Sequence, residues 1–163
     1  MATASSASTK VTLPSDLEIL VTREFDAPRQ VVFKAMTDPK LIPQWWGPRR
    51  DAITVDEMQV RPGGKWRFVA TQPDGSKYAF RGEYREIVSG EKIVQTFEFE
   101  PMAGHISVET ATLTDLPDGR TLFTSRSVFS SKADRDGMVQ SGMESGLRET
   151  YERFDELLAS LKK

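Results

Sequence analysis

The chain has 163 residues, 22 basic and 24 acidic side chains, a net charge of -2 and no cysteine. That length predicts one domain, able to bury roughly two-thirds of its unfolded surface without a covalent staple. The missing thiols exclude disulfides, thiolate metal sites and a cysteine nucleophile, and both charge signs are spread along the chain without the basic stripe a nucleic acid needs.

Apolar runs are only a few residues long, far short of a membrane span, and the N-terminus lacks a charged-then-apolar leader pattern. A cytoplasmic protein without membrane insertion is expected. Residues Met1 to about Ser15 are rich in Ser, Ala and Thr and read as a mobile tail ahead of one unit spanning residues 16–163. Ile19, Val21 and Phe25 share one parity, which predicts a half-buried strand over Leu17–Phe25. Asp26-Ala27-Pro28 then opens a short helix in which Val31, Val32, Ala35 and Met36 recur at helical spacing. Asp38-Pro39 restarts the pattern toward a second short helix near Trp46, and Gly47-Pro48 stops it.

Six strands are predicted next: Ala52–Val60, Lys65–Thr71, Lys77–Val88 with a bend near Gly82, Lys92–Glu100, His105–Leu116 and Arg120–Phe129. Short links such as Pro73-Asp74-Gly75 and Pro117-Asp118-Gly119 predict antiparallel neighbours. From about Asp134 to Leu161 a helix is expected, with Met143, Leu147, Tyr151, Phe154, Leu158 and Leu161 forming one apolar stripe. The fold class is therefore α+β, with about seven antiparallel strands curved around a long C-terminal helix that buries its stripe on the concave face.

Several stretches carry a family resemblance: Thr22–Pro28, Val32-Phe33-Lys34-Ala35, Thr37-Asp38-Pro39, Trp45-Trp46-Gly47-Pro48, Val60–Phe68 and Gly142–Leu158. In this order the chain resembles the START-like (SRPBCC, helix-grip) superfamily. Within it, the chain is similar to the group related to the C-terminal domain of the heat-shock-protein-90 ATPase activator. The resemblance implies a cavity between sheet and long helix, where periodicity alone implies only burial. The group includes ligand carriers, cyclase-like enzymes and chaperone cofactors.

Strand parity nominates the lining. Met58 and Val60 share a face with Thr54 and Asp56; Trp66 and Phe68 share another; Tyr84, Phe97 and Leu113 lie across the sheet. The helix adds Met143, Leu147 and Tyr151, with Met138 as a further candidate. An ordinary core would use the same residues, but the mixture of Trp, Phe, Tyr and Met also suits a cavity wall. One of Trp45 and Trp46 is expected to close one end of the core, and the other to wall the cavity mouth.

Parity also admits Glu109 beside Ala111 and Leu113, and Arg126 beside Leu122 and Thr124. Asp56, Glu109 and Arg126 could then meet as a polar cluster inside an apolar cavity, paired because a lone buried charge is costly. Solvated edge positions explain the same residues more simply. His105, the only histidine, shows no partner spacing for a metal or a Ser-His-Asp arrangement and reads as a loop residue. Arg61-Pro62-Gly63-Gly64 lacks a Lys-Ser/Thr ending and precedes a strand, so it reads as a hairpin turn rather than a phosphate loop. No metal and no cofactor is expected.

Three functions follow in order. The first is binding of a small hydrophobic or aromatic ligand, such as a lipid or polyketide. The second is a cyclase- or hydrolase-like enzyme in the same cavity, with Asp56, Glu109 or His105 moving a proton. The third, implied by the resemblance alone, is a chaperone-associated module in a stress response. This length leaves no room for the activator's separate N-terminal domain, which counts against ATPase stimulation. A homodimer through sheet edges or helix surface is compatible with the pattern.

Overall fold

The computed structural model describes residues 9–161. Its strands are β1 (Lys10–Thr12), β2 (Glu18–Phe25), β3 (Ala52–Met58), β4 (Lys65–Thr71), β5 (Lys77–Val88), β6 (Lys92–Phe99), β7 (Ile106–Asp115) and β8 (Thr121–Val128). The helices are α1 (Arg29–Thr37), α2 (Lys132–Gln140) and α3 (Met143–Leu161), with single 3-10 turns at Ile42–Gln44 and Glu100–Met102.

All strands form one antiparallel sheet in the order β1-β2-β8-β7-β6-β5-β4-β3. Short turns make β3 to β8 a meander, because a few residues can only return a strand beside its predecessor. β2 alternates strictly, burying Ile19, Val21, Arg23 and Phe25. It closes the sheet against β8, from Glu18 opposite Val128 to Phe25 opposite Thr121.

The sheet has eight strands rather than seven. Within the segment read as a tail, Lys10–Thr12 pairs with Leu20–Thr22 of β2. Three residues are too few to show alternation in a sequence. Residues 1–8 of that expected tail lie outside the described residues. The expected single terminal helix is two, interrupted at Gly142, whose φ of +86° is a left-handed conformation that glycine alone adopts cheaply. Ser131 caps α2 by accepting from the Asp134 N–H at 3.0 Å.

α3 lays Tyr151, Phe154, Leu157 and Leu158 into the core. Phe25 is the hub: its ring lies 4.7 Å from Phe154, 5.7 Å from Tyr151 and 5.8 Å from Phe123. Arg23 shares this buried face. Its guanidinium donates to Thr9 and Asp155, and Cζ lies 5.5 Å and 5.8 Å from the ring centroids of Phe25 and Tyr151. Elsewhere Arg67 grips Glu100 through two hydrogen bonds of 2.7 and 2.9 Å, and Arg81 donates to Glu98 at 2.9 Å. Among the described residues, no helix is long and apolar enough to cross a membrane.

Candidate functional site

A cavity of about 380 Å³ lies between the sheet and the pair α2–α3. Bulky rings hold the two layers apart there. Trp66 and Phe68 of β4, Phe80 of β5 and Phe97 of β6 form one wall, with Trp66 4.8 Å from Phe68 and Phe80 5.5 Å from Phe97. Met143, Leu147 and Tyr151 of α3 form the opposite one.

The loop after the first 3-10 turn supplies the end. Trp45 is buried, stacks on Phe154 at 4.1 Å and donates its indole N–H to the Ala35 carbonyl at 2.9 Å. Trp46 stands edge-on to Phe68 and Phe80 at 5.1 and 5.0 Å. Both tryptophans line the cavity. α3 clamps this loop: Arg153 donates to the carbonyls of Pro43, Trp46, Gly47 and Pro48, and Arg49 bonds Glu156 at 2.6 and 3.1 Å. From the sheet side, the Tyr78 hydroxyl donates to buried Asp51, whose other oxygen lies 3.7 Å from Arg50. Burial and the Asp51 carboxylate push the Tyr78 phenol up to about 12.

Polar side chains cross the cavity floor in one row. Tyr84 pairs with Gln95, Gln95 with Glu109, and Glu109 with Ser127, on four neighbouring strands. All four residues line the cavity, and none makes a side-chain hydrogen bond to another described residue. Glu109 is half-buried where it lines this hollow, and burial raises its carboxyl to about 7. Burial also raises the phenols of Tyr84 and Tyr151, and the charge of Glu109 adds to the rise at Tyr151. The Trp66 indole N–H is buried without an acceptor, pressed against Gly82.

Of the residues nominated from sequence, Trp45, Trp46, Trp66, Phe68, Tyr84, Phe97, Glu109, Met143, Leu147 and Tyr151 line the cavity, as does Met138. Met58 and Leu113 pack into the hydrophobic core without reaching the lining. The expected meeting of Asp56, Glu109 and Arg126 does not occur. β3 shifts register between Val55 and Glu57, spending two residues where β4 spends one. Asp56 thereby faces out and pairs with Arg67 at 3.3 Å. On β8, Phe123 and Phe129 fix the inward parity, so Arg126 is exposed and pairs with Glu18 at 2.9 Å.

Sequence reasoning missed Tyr78, Phe80, Gln95, Ser125 and Ser127. The signal was present for three of them. Gln95 sits between Ile93 and Phe97, and Ser125 and Ser127 sit between Phe123 and Phe129, each set sharing one parity. His105 does have a partner, Asp134, at 2.8 Å from Nδ1. Ser130 donates to the other oxygen of that carboxylate, so Asp134 stands between the serine and the imidazole, the wrong order for nucleophile activation. No group of three or more His, Cys, Asp or Glu among the described residues is placed to hold a metal.

One sheet gripping a terminal helix around a hollow defines the START-like, helix-grip class. Within it, the chain belongs to the family of Activator of Hsp90 ATPase homolog 1-like proteins, whose sequence model matches residues 26–159. A crystal structure of a protein from Rhodobacter sphaeroides superposes with a TM-score of 0.87 at 22% identity, covering 93% of this chain and 99% of that one. One from Mycobacterium smegmatis gives 0.82 at 28% identity, covering 94% and 98%. The AHSA1 protein of Silicibacter pomeroyi gives 0.72 at 20%, covering 90% and 99%. No curated protein matches the chain.

Proposed function

We propose that this protein binds a small, largely apolar ligand between its sheet and its terminal helices. The observation that supports it is the hollow of about 380 Å³, walled by aromatic rings and floored by a polar row whose side chains hydrogen-bond no other described residue. Small-molecule sites of about 300–1,000 Å³ share that make-up, with few polar groups fixing orientation. Native mass spectrometry and thermal-shift screening against lipids, simple aromatics and polyketides test the reading. A retained mass or a raised melting temperature is expected for one class. No binding across all three classes would defeat it.

A cyclase- or hydrolase-like reaction in the same cavity is the second reading. It draws on Glu109, whose carboxyl, raised to about 7, is matched to proton transfer near neutrality. Turnover surviving Glu109→Gln unchanged would remove that role. A contact with the Hsp90 chaperone draws on the family description alone, and a pull-down tests it. The cysteine-free composition suits a cytoplasmic setting.

A further inference from the structure

If the cavity holds a ligand, as proposed above, its wall narrows the chemistry of that ligand. Aromatic rings dominate the lining, and among the described residues Glu109 is its only carboxyl and no Lys, Arg or His joins it. Ring faces carry negative potential and attract cations, most strongly when desolvated. A carboxyl without a partner adds to the same preference. An anionic ligand would meet repulsion from both.

The groups around Glu109 leave its carboxyl unanswered. Gln95 and Ser127 flank it in the row, with Tyr84 one strand further, and none of them donates to it. From α3 the Tyr151 phenol comes near enough for the two charges to interact. Behind Tyr151, the Arg23 guanidinium lies 5.8 Å from its ring centroid, and Asp155 and Thr9 already occupy it. Tyr78, at the wall, is engaged by Asp51. A buried carboxylate is costly unless paired, so a cationic head entering the cavity would supply what the protein withholds.

We propose that the ligand is a lipophilic amine, whose ammonium pairs with Glu109 between Gln95 and Ser127 while its apolar body lies against Trp66, Phe68 and Phe80. The pair needs an ionised carboxyl and a protonated amine together. Burial holds the Glu109 carboxyl at about 7. Affinity therefore rises as pH passes upward through that value, by about tenfold per unit below it, until the amine loses its own proton. The phenols of Tyr84 and Tyr151 are both pushed upward and stay neutral across this window.

Calorimetric titration of the full chain with phenylbutylamine, phenylbutanol and phenylbutyrate, at about pH 6 and about pH 8, tests the idea. At the higher pH the amine is expected to bind at least about tenfold more tightly than the alcohol, and the acid most weakly. The advantage should shrink at the lower pH. Glu109→Gln should bring the amine down to the level of the alcohol and flatten its pH dependence. Equal affinity for amine and alcohol in the natural protein, or tighter binding of the acid, overturns the amine assignment and leaves the cavity reading standing. No heat from any of the three, with folding verified by circular dichroism, overturns both. The comparison of probes on the natural protein decides the matter even if the Gln variant fails to fold.

Discussion

The guanidinium of Arg153, on α3, donates to the carbonyl of Gly47 at 2.8 Å. The same side chain reaches Pro43 at 3.2 Å and Trp46 and Pro48 at 3.4 Å, so one cation satisfies the carbonyls of a loop that has no ladder of its own. The position of Trp46 therefore depends on a helix residue only two positions beyond the cavity-lining Tyr151.

Arg153→Met should keep the packing of the stem and remove these charge-assisted bonds, each worth about 1.5–3 kcal/mol at most in such settings. A stability loss of about 1–3 kcal/mol is expected, with Trp emission shifted to the red as the loop loosens. Urea unfolding and fluorescence check both. An unshifted spectrum would show that the loop holds itself.

Among the described residues, Asp155 is the acidic partner of the wholly buried Arg23 guanidinium, whose Nε has no acceptor of its own. Asp155→Ala should strand that charge and cost about 3–5 kcal/mol. Replacing both partners, as Arg23→Met with Asp155→Leu, should recover much of the loss, since an apolar pair avoids the desolvation penalty. Denaturant midpoints of the two variants give the comparison, and a double variant no better than the single one would contradict it.

Glu109 makes stability depend on pH in a direction opposite to most carboxyls. Its folded value, about 7, lies above the ordinary 4.5. Between those two values the native state holds a proton that the unfolded chain has lost, so stability falls as pH rises through the interval and levels off above it. The contribution is at most about 3 kcal/mol. Glu109→Gln should be as stable as the natural protein at about pH 4 and more stable at about pH 8, and the difference between the two unfolding curves isolates this group.

Gly82 touches two neighbours that no larger residue could. A Cβ there would lie 2.0 Å from the Thr96 carbonyl oxygen and 2.5 Å from the Trp66 indole nitrogen. Because the first is backbone, Gly82→Ala must displace β6 as well as the indole, at a cost of about 3 kcal/mol. Thermal melting measures it, and a variant as stable as the natural protein would mean that the strands yield more easily than their packing suggests.

The strands whose apolar residues keep a single parity were legible, and so were the Gly-containing turns between them. Reading failed where one residue changed the count. Parity runs along an unbroken ladder only, and the register shift at Val55–Glu57 turned the outward Asp56 into an apparent neighbour of Met58. In β8 each parity carries an apolar residue, Leu122 on one and Phe123 on the other. Only Phe129, beyond the strand, shows which one faces the hollow. Gly142 ends a helix while Gly137 and Gly146 sit inside helices, and residue type alone does not tell them apart. The cavity's aromatic walls were visible as residue types. Parity with Ile93, Phe97, Phe123 and Phe129 turns Gln95 and Ser127 inward, but only the register shows that they line up with Glu109 as one polar row.

The pairing of β2 with β8 joins two strands separated along the chain by the rest of the long strands of the sheet. During synthesis, β2 must wait for β3 to β7 to emerge before its partner is made. Such distant pairings are slow to find and leave an open edge exposed in the meantime. The meander from β3 to β8 can assemble by local steps, whereas docking of β2 is the late, entropically demanding event. Maturation of this protein is thus timed by its most sequence-distant ladder.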